Sequence, residues 1–292
     1  MFCPTALSIC VFFFLTPLLT AQTGSTVLND DNVPEDGADT IRLDATGLRL
    51  QIVYDNYAQH ADVTTAHGFA CRLQAADEIY QFDTGGDGAI LLSNMRTLGV
   101  EPDPAATVVI SHDHWDHLGG LGDYLDAAGG CAHLVLVGGS RPDDSPEVQS
   151  AGRASVKRVT QASEPVSLGR GVMTTGTMGG RIPEQGLIVR TDRGVILVTG
   201  CAHPGVVEMA ERAVQLTGVD TLLLVMGGFH LMRESADVAD SVAVRLMALT
   251  ELVAPCHCTG DGAIDRIREH FGRRFVEVGV GSVIDPDALS AN

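Results

Sequence analysis

His112-Asp113-His114-Trp115-Asp116-His117 packs three imidazoles and a well-placed carboxylate into one short run of chain. These are the donors that zinc and its neighbours in the first transition row take. His112 and His114 stand two residues apart, so from an extended strand end both side chains point the same way. Asp116 and His117 follow after a one-residue gap, and a bend there aims them at a second metal beside the first. The run before them, 107–110, is apolar and β-branched and reads as a buried strand. The run after them, 118–122, is a glycine-rich turn leading into a helix. The cluster therefore sits at the carboxyl end of a strand, where α/β folds carry their chemistry. A polar surface loop that happens to be rich in histidine is the competing reading. It accounts neither for the strand nor for the histidines further along.

A two-metal site needs more donors than one loop supplies, because zinc takes four or five ligands and a catalytic site keeps a position for water. His203 follows an apolar run at 195–199, His230 follows one at 221–225, and His257 follows one at 253–256. Each stands where a strand gives way to glycine or proline. A single such histidine is usually just hydrogen-bonded; three of them beside the run at 112–117 point to one site. Other strands are expected at 48–54, 68–73, 78–82, 133–137, 166–175, 186–190 and 275–280. Helices are expected at 89–98, 206–216, 236–252 and 263–270. Residues 138–165, rich in Gly, Ser, Pro and charge, read as a long loop. Layer logic alone gives an α/β protein and nothing finer.

In order along the chain stand FDTG (82–85), SHDHWDHLGG (111–120), TGCAHPG (199–205), GGFHL (227–231) and HCTG (257–260). Together they resemble the metallo-β-lactamase superfamily, and within it the branch that includes the dihydropterin-phosphate synthase-like proteins, over residues 48–283. The resemblance implies an αββα sandwich, two mixed β-sheets flanked by helices. It implies that His112 and His114 bind a first metal, Asp116 and His117 a second, and that His257 is the last ligand of the second. Commoner hydrolases of the superfamily have Thr-Gly-Asp where this chain has Thr199-Gly200-Cys201, and that Asp bridges the metals. Either Cys201 takes the bridging place as a thiolate, or His203 supplies the missing donor to the first metal. A neutral imidazole binds without added charge, which favours His203; Cys201 is then a small buried residue. The resemblance places Asp83 beside the metal loop, where it would accept a hydrogen bond from a ligating imidazole. The plainer reading is a turn Asp before Gly85-Gly86. Glu184 in RIPEQG resembles a short signature of the branch and reads equally as an exposed loop acid. Cys256-His257-Cys258 is not a zinc knuckle. In an extended segment both thiols point away from His257, and no second Cys pair stands at finger spacing.

The chain has 292 residues, 45% of them hydrophobic, enough for one large α/β domain. A net charge of −18 argues against a nucleic-acid partner. That matters because some members of the superfamily are nucleases. Residues 6–15 are the most apolar stretch; Pro17 breaks it and Thr20-Ala21-Gln22 offers a small-residue cleavage site. The stretch is short for a membrane span and suits a signal-peptide core, although no Lys or Arg precedes it. The expected organisation is a signal peptide at 1–21, an acidic linker at 22–47 and, as the resemblance implies, a metallo-β-lactamase-fold domain at 48–285. The product would be secreted or periplasmic, with an uncleaved anchor as the alternative and no stable membrane partner. Five cysteines remain after the signal, an odd number that argues against a full disulfide framework. Arg141, Lys157 and Arg158 in the long loop either hold an anionic group or, more plainly, are solvated.

The function expected from these features is that of an exported hydrolase with two divalent ions, Zn2+ first, with Fe or Mn as alternatives. Hydroxide held by the metals would attack a small-molecule ester, amide, lactone or phosphoester. Asp116 would orient that hydroxide as well as bind metal. His230 would stabilise the developing oxyanion or protonate the leaving group. One rival is a metal-binding or sensing protein with little turnover, to which the Cys201 departure lends weight. A pterin-phosphate synthase-like activity is another, though export separates the chain from a cytoplasmic substrate. A flavodiiron-type redox enzyme ranks last: that class has Glu where this chain has His114, and there is no room for a flavin domain.

Overall fold

The computed structural model describes residues 42–45, 47–140 and 156–289. The expected signal segment, most of the expected linker and Arg141 lie outside them. The strands are β1 (Arg49–Tyr54), β2 (Ala70–Ala75), β3 (Glu78–Phe82), β4 (Thr107–Val109), β5 (His133–Val137), β6 (Val159–Ala162), β7 (Ser167–Gly169), β8 (Val172–Thr174), β9 (Leu187–Arg190), β10 (Val195–Thr199), β11 (Leu222–Gly228), β12 (Thr250–Cys256) and β13 (Val283–Ile284). One sheet has the order β13-β1-β2-β3-β4-β5-β6 and the other β12-β11-β10-β9-β8-β7. Both are mixed. Strands β3 to β6 run parallel and β1 to β3 antiparallel. In the other sheet β10 to β12 run parallel and β7 to β10 antiparallel.

Alternation along the strands sorts the side chains into layers. Ile52, Leu73, Phe82, Val109 and Val135 meet Leu187, Val189, Ile196, Val198 and Met226 between the sheets. On the far face of one sheet, Val108, Leu134 and Leu136 pack on helices α1 (Gly88–Thr97) and α3 (Leu121–Ala128), with the short α2 (Trp115–Leu118) just before α3. On the far face of the other, Ile188, Val195 and Leu197 pack on α4 (Val206–Thr217), α5 (Ala236–Leu246) and α6 (Asp261–Phe271). A last helix, α7, is Pro286–Leu289. The layers are helix, sheet, sheet, helix, as the motifs led one to expect.

Several elements differ from the sequence reading. The helix expected at 236–252 stops at Leu246, and β12 takes up the chain at Thr250. That apolar stretch fits either period. The strand wins because Leu252 faces the inter-sheet core while Val253 faces the helices. The single strand expected at 166–175 is the hairpin β7–β8, turned at Gly171 with φ +67°. No strand forms at 275–280; Phe275 and Val280 make only isolated bridges, to Val253 and Ala58. The loop expected at 138–165 contains β6, an edge strand with a solvent-facing, mixed pattern that sequence does not mark as a strand. Leu43, inside the stretch read as a linker, is buried and pairs with Thr191. Among the described residues, no helix is long and apolar enough to cross a membrane.

Candidate metal centre

Strands β1, β3, β4, β10, β11 and β12 end, in turn, just before Asp55-Asn56, Asp83, the Ile110-Ser111-His112 turn, Gly200–His203, Phe229-His230 and His257-Cys258. Of the five non-glycine residues with positive φ in the described chain, four stand here: Asp83, Ala202, His230 and His257. Such backbone costs energy and persists where surrounding contacts over-determine it.

Asp83, fully buried, ties two of the histidines together. Its Oδ1 accepts the Ser111 backbone N–H at 2.7 Å. Its Oδ2 accepts the Ser111 hydroxyl at 2.7 Å and lies 2.7 Å from His117 Nδ1. Ser111 Oγ in turn lies 2.9 Å from His112 Nδ1. A carboxylate can only accept, so His117 carries its proton on Nδ1. The Ser111 proton is spent on Asp83, so Ser111 Oγ accepts from His112 Nδ1–H. Both imidazoles therefore turn Nε2 lone pairs inward. A Cβ on Gly200 would stand 2.2 Å from Ser111 Oγ, so only glycine lets the β10 turn pass this close.

Two donor groups result. In the first, His114 Nδ1 lies 3.1 Å from His112 Nε2 and 3.2 Å from His203 Nε2. Nitrogens on a tetrahedral zinc with bonds of about 2.05 Å stand roughly 3.3 Å apart, so the trio already has the spacing of ligands on one ion. In the second, Asp116 Oδ2 lies 3.3 Å from His257 Nε2 and 3.6 Å from His117 Nε2. Cys201 Sγ lies between the groups. It stands 3.2 Å from His117 Nε2 and 3.4 Å from His257 Nε2, and its donor atom also clusters with those of His112 and His203. The donor chemistry fits divalent metal. Cys201 and His203 both have their donor atoms in the cluster.

Electrostatics divide the groups further. Burial, then the neighbouring imidazoles, push His112 well down; burial also lowers His114, and burial with His230 and His114 brings His203 down to about 4. For Asp116 burial opposes ionisation, yet the hydrogen bond with His257 and the charge of His117 prevail and hold it below the ordinary range. Burial likewise opposes charge on His257, yet hydrogen bonds to Asp116 and Cys258 lift it to about 10. His230, exposed, has its ring 4.2 Å from that of His203, and a hydrogen bond with Cys258 raises it against burial.

Glu184 is not an exposed loop acid. It is fully buried, and its carboxylate accepts the backbone N–H groups of Gly200, Cys201, Ala202 and His203 at 2.8 to 3.1 Å. These favour its charge, but burial outweighs them and pushes it up to about 7. The expectation that both thiols of the Cys-His-Cys run point away from His257 fails for Cys258. His257 turns left-handed where β12 ends, and Cys258 clusters with Cys201 and His230. Cys256 stays in the inter-sheet core. Lys157 and Arg158 are exposed. The five cysteines of the described residues are all free and buried.

Sequence reasoning missed Asp55, Asn56 and His67. Asp55 Oδ1 accepts the His257 backbone N–H at 2.9 Å, and burial pushes its carboxyl up to about 7. Asn56 Oδ1 lies 3.0 Å from His257 Nδ1. His67 Nε2 lies 3.2 Å from Asp116 Oδ2. The first two follow the end of β1, the same positional signal that marked His203 and His257; His67, on the loop to β2, carried no signal.

A sandwich of two mixed sheets with this cluster along one edge defines a metallo-β-lactamase-type fold. The family model of the metallo-beta-lactamase superfamily matches residues 82–223 of the chain. It is 28% identical over 244 residues to 7,8-dihydropterin-6-methyl-4-(beta-D-ribofuranosyl)-aminobenzene-5'-phosphate synthase of Methanocaldococcus jannaschii, covering 70% of this chain and 83% of that protein. The crystal structure of a metal-dependent hydrolase of the beta-lactamase superfamily superposes with a TM-score of 0.64 at 25% identity, over 81% of this chain and 98% of the other. The metallo-beta-lactamase fold protein YhfI from Bacillus subtilis superposes with a TM-score of 0.54 at 14% identity, over 81% and 99%, and shares the fold.

Proposed function

We propose that the chain is a metal-dependent hydrolase with a dinuclear centre, zinc first, acting on a small acyl or phosphoryl compound. The observation that carries this is the position of Cys201, whose thiol stands with His112 and His203 on one side and with Asp116, His117 and His257 on the other. Divalent metal bound there supplies Lewis acidity and brings the pKa of a water molecule down to about 7. The chain's own contribution is orientation. Asp83 and Ser111 fix two imidazoles, Glu184 fixes the turn that carries Cys201 and His203, and Asp116 directs its carboxylate inward. His230, exposed beside His203, is placed to donate a hydrogen bond to an oxyanion or a proton to a leaving group.

Likeness to a synthase over most of that protein's length supports a second reading, a synthase-type reaction on a phosphorylated small molecule. Export is a further proposal, supported by the apolar run at 6–15; a mature chain starting near Gln22 is its test. The function is tested on metal-free protein reloaded with zinc, against generic chromogenic esters, lactones and phosphodiesters. Turnover that appears with zinc and vanishes with chelator supports hydrolysis. Full loading without turnover on any of them moves the reading to the synthase or to a metal-binding protein.

A further inference from the structure

Asn56 touches two histidines of the centre with the two ends of one carboxamide. Its Oδ1 lies 3.2 Å from the Gly68 backbone nitrogen and 3.0 Å from His257 Nδ1. Its Nδ2 lies 3.3 Å from His67 Nδ1. A backbone N–H can only donate, so the Gly68 contact settles which end of the amide is the oxygen. The tautomers follow without further choice. An oxygen facing His257 Nδ1 requires a proton on that nitrogen, which leaves Nε2 as the atom that meets Asp116 and Cys201. An NH2 facing His67 Nδ1 requires a lone pair there, which puts the proton of the neutral ring on Nε2. That nitrogen lies 3.2 Å from Asp116 Oδ2, an acceptor, so the two ends of the His67 ring demand the same tautomer independently.

We propose that Asn56 is a positioning residue that keeps a proton on His257 Nδ1 and a lone pair on His67 Nδ1, so that His257 turns Nε2 to the centre and His67 is an N–H donor to Asp116. His67 stands within reach of the cluster, with its ring centroid 4.9 Å from that of His257. In its Nε2–H form it cannot act as a ligand through that atom. It instead holds the Asp116 oxygen that faces His257, and with its side chain 47% exposed it does so from the solvent side. The carboxamide thus selects which of two adjacent imidazoles belongs to the metal set. The proposal rests on the metal-centre reading only for the use made of His257 Nε2; the protonation of the two Nδ1 atoms belongs to the chain itself.

The test is a two-bond 1H–15N correlation spectrum of uniformly 15N-labelled protein at pH ~8, above the ordinary imidazole pKa of about 6.5. The ring pattern lost in His67→Gln identifies His67. The expected pattern is that of the Nε2–H tautomer in the wild type. In Asn56→Asp the new carboxylate accepts at Nδ1 while Asp116 still accepts at Nε2, so His67 should gain a proton on Nδ1 and show the pattern of the doubly protonated ring. An Nδ1–H pattern in the wild type overturns the proposal, and so does a pattern that Asn56→Asp leaves unchanged. The wild-type spectrum decides even if a variant fails to fold, and it does so whether or not the protein hydrolyses anything. Asn56→Ala, which frees both rings, should weaken zinc binding by about 10–100-fold, the usual cost of removing a residue that orients a ligand.

Discussion

The two donor groups share one thiol and differ in almost everything else. His112, His114 and His203 are three imidazoles with lowered pKa values, two of them half-exposed, and they carry no carboxylate of their own. Asp116, His117 and His257 are buried, and there Asp116 and His257 sustain each other's charge. The buried group is built around charge compensation, and a cation entering it must displace a proton. This contrast teaches that the six-residue motif joins two donor groups, with His112 and His114 in one environment and Asp116 and His117 in the other.

The largest effect should come from the residue that serves both groups. Asp83→Ala removes the acceptor of Ser111 and His117, and through Ser111 loosens His112. Losing hydrogen bonds to a buried charged group costs about 3 kcal/mol. Chemical denaturation should show that loss, and metal analysis should show both groups depleted. Depletion of one group alone would break the idea that Asp83 links them.

Cys201→Ser and His203→Ala sharpen the comparison. Cys201→Ser should weaken metal retention in both groups, because the thiol is common to both. His203→Ala should lose about one ion and leave the other, since removal of one ligand opens only its own tetrahedral site. Dialysis of the two variants side by side against a weak chelator, followed by metal analysis, distinguishes them. Identical losses would mean that the groups are not separable.

The smallest effect is in pH dependence. Metal binding needs neutral imidazoles. His257, lifted to about 10, is protonated at neutral pH in the metal-free chain and must give up that proton. Affinity of the buried group should therefore rise with pH up to about 10 and fall as pH drops. His203, brought down to about 4, and the lowered His112 and His114 are already neutral at pH 7. Affinity of the open group should be flat across neutral pH. Zinc titrations in Cys201→Ser, where the shared thiol contributes no proton, measure both slopes; equal slopes would remove the electrostatic distinction.

The contrast also separates what sequence can reveal from what it cannot. His112 to His117 are contiguous, and their spacing alone exposes the chemistry. His203, His230 and His257 were legible because each follows a strand that its own apolar residues announce. Glu184 stayed open between a family signature and an exposed loop acid because what makes it an interior residue is a row of backbone N–H groups 16 to 19 residues later, which no local pattern records. Asn56 and His67 were missed for the same reason: Asn56 reaches His257 across 201 residues of chain. The four layers were legible through the family resemblance of the motifs; the order of strands within each sheet was not. The boundary between α5 and β12 was not, because an apolar run satisfies both periods until the layers on either side are in place.

The most direct measurement is metal content of the folded protein, expressed in metal-replete medium and dialysed against a weak chelator. The two donor groups predict about two transition-metal ions per chain before dialysis, the open group emptying before the buried one. Folded protein that carries no transition metal before dialysis would contradict the metal centre outright, and with it the hydrolase built upon it.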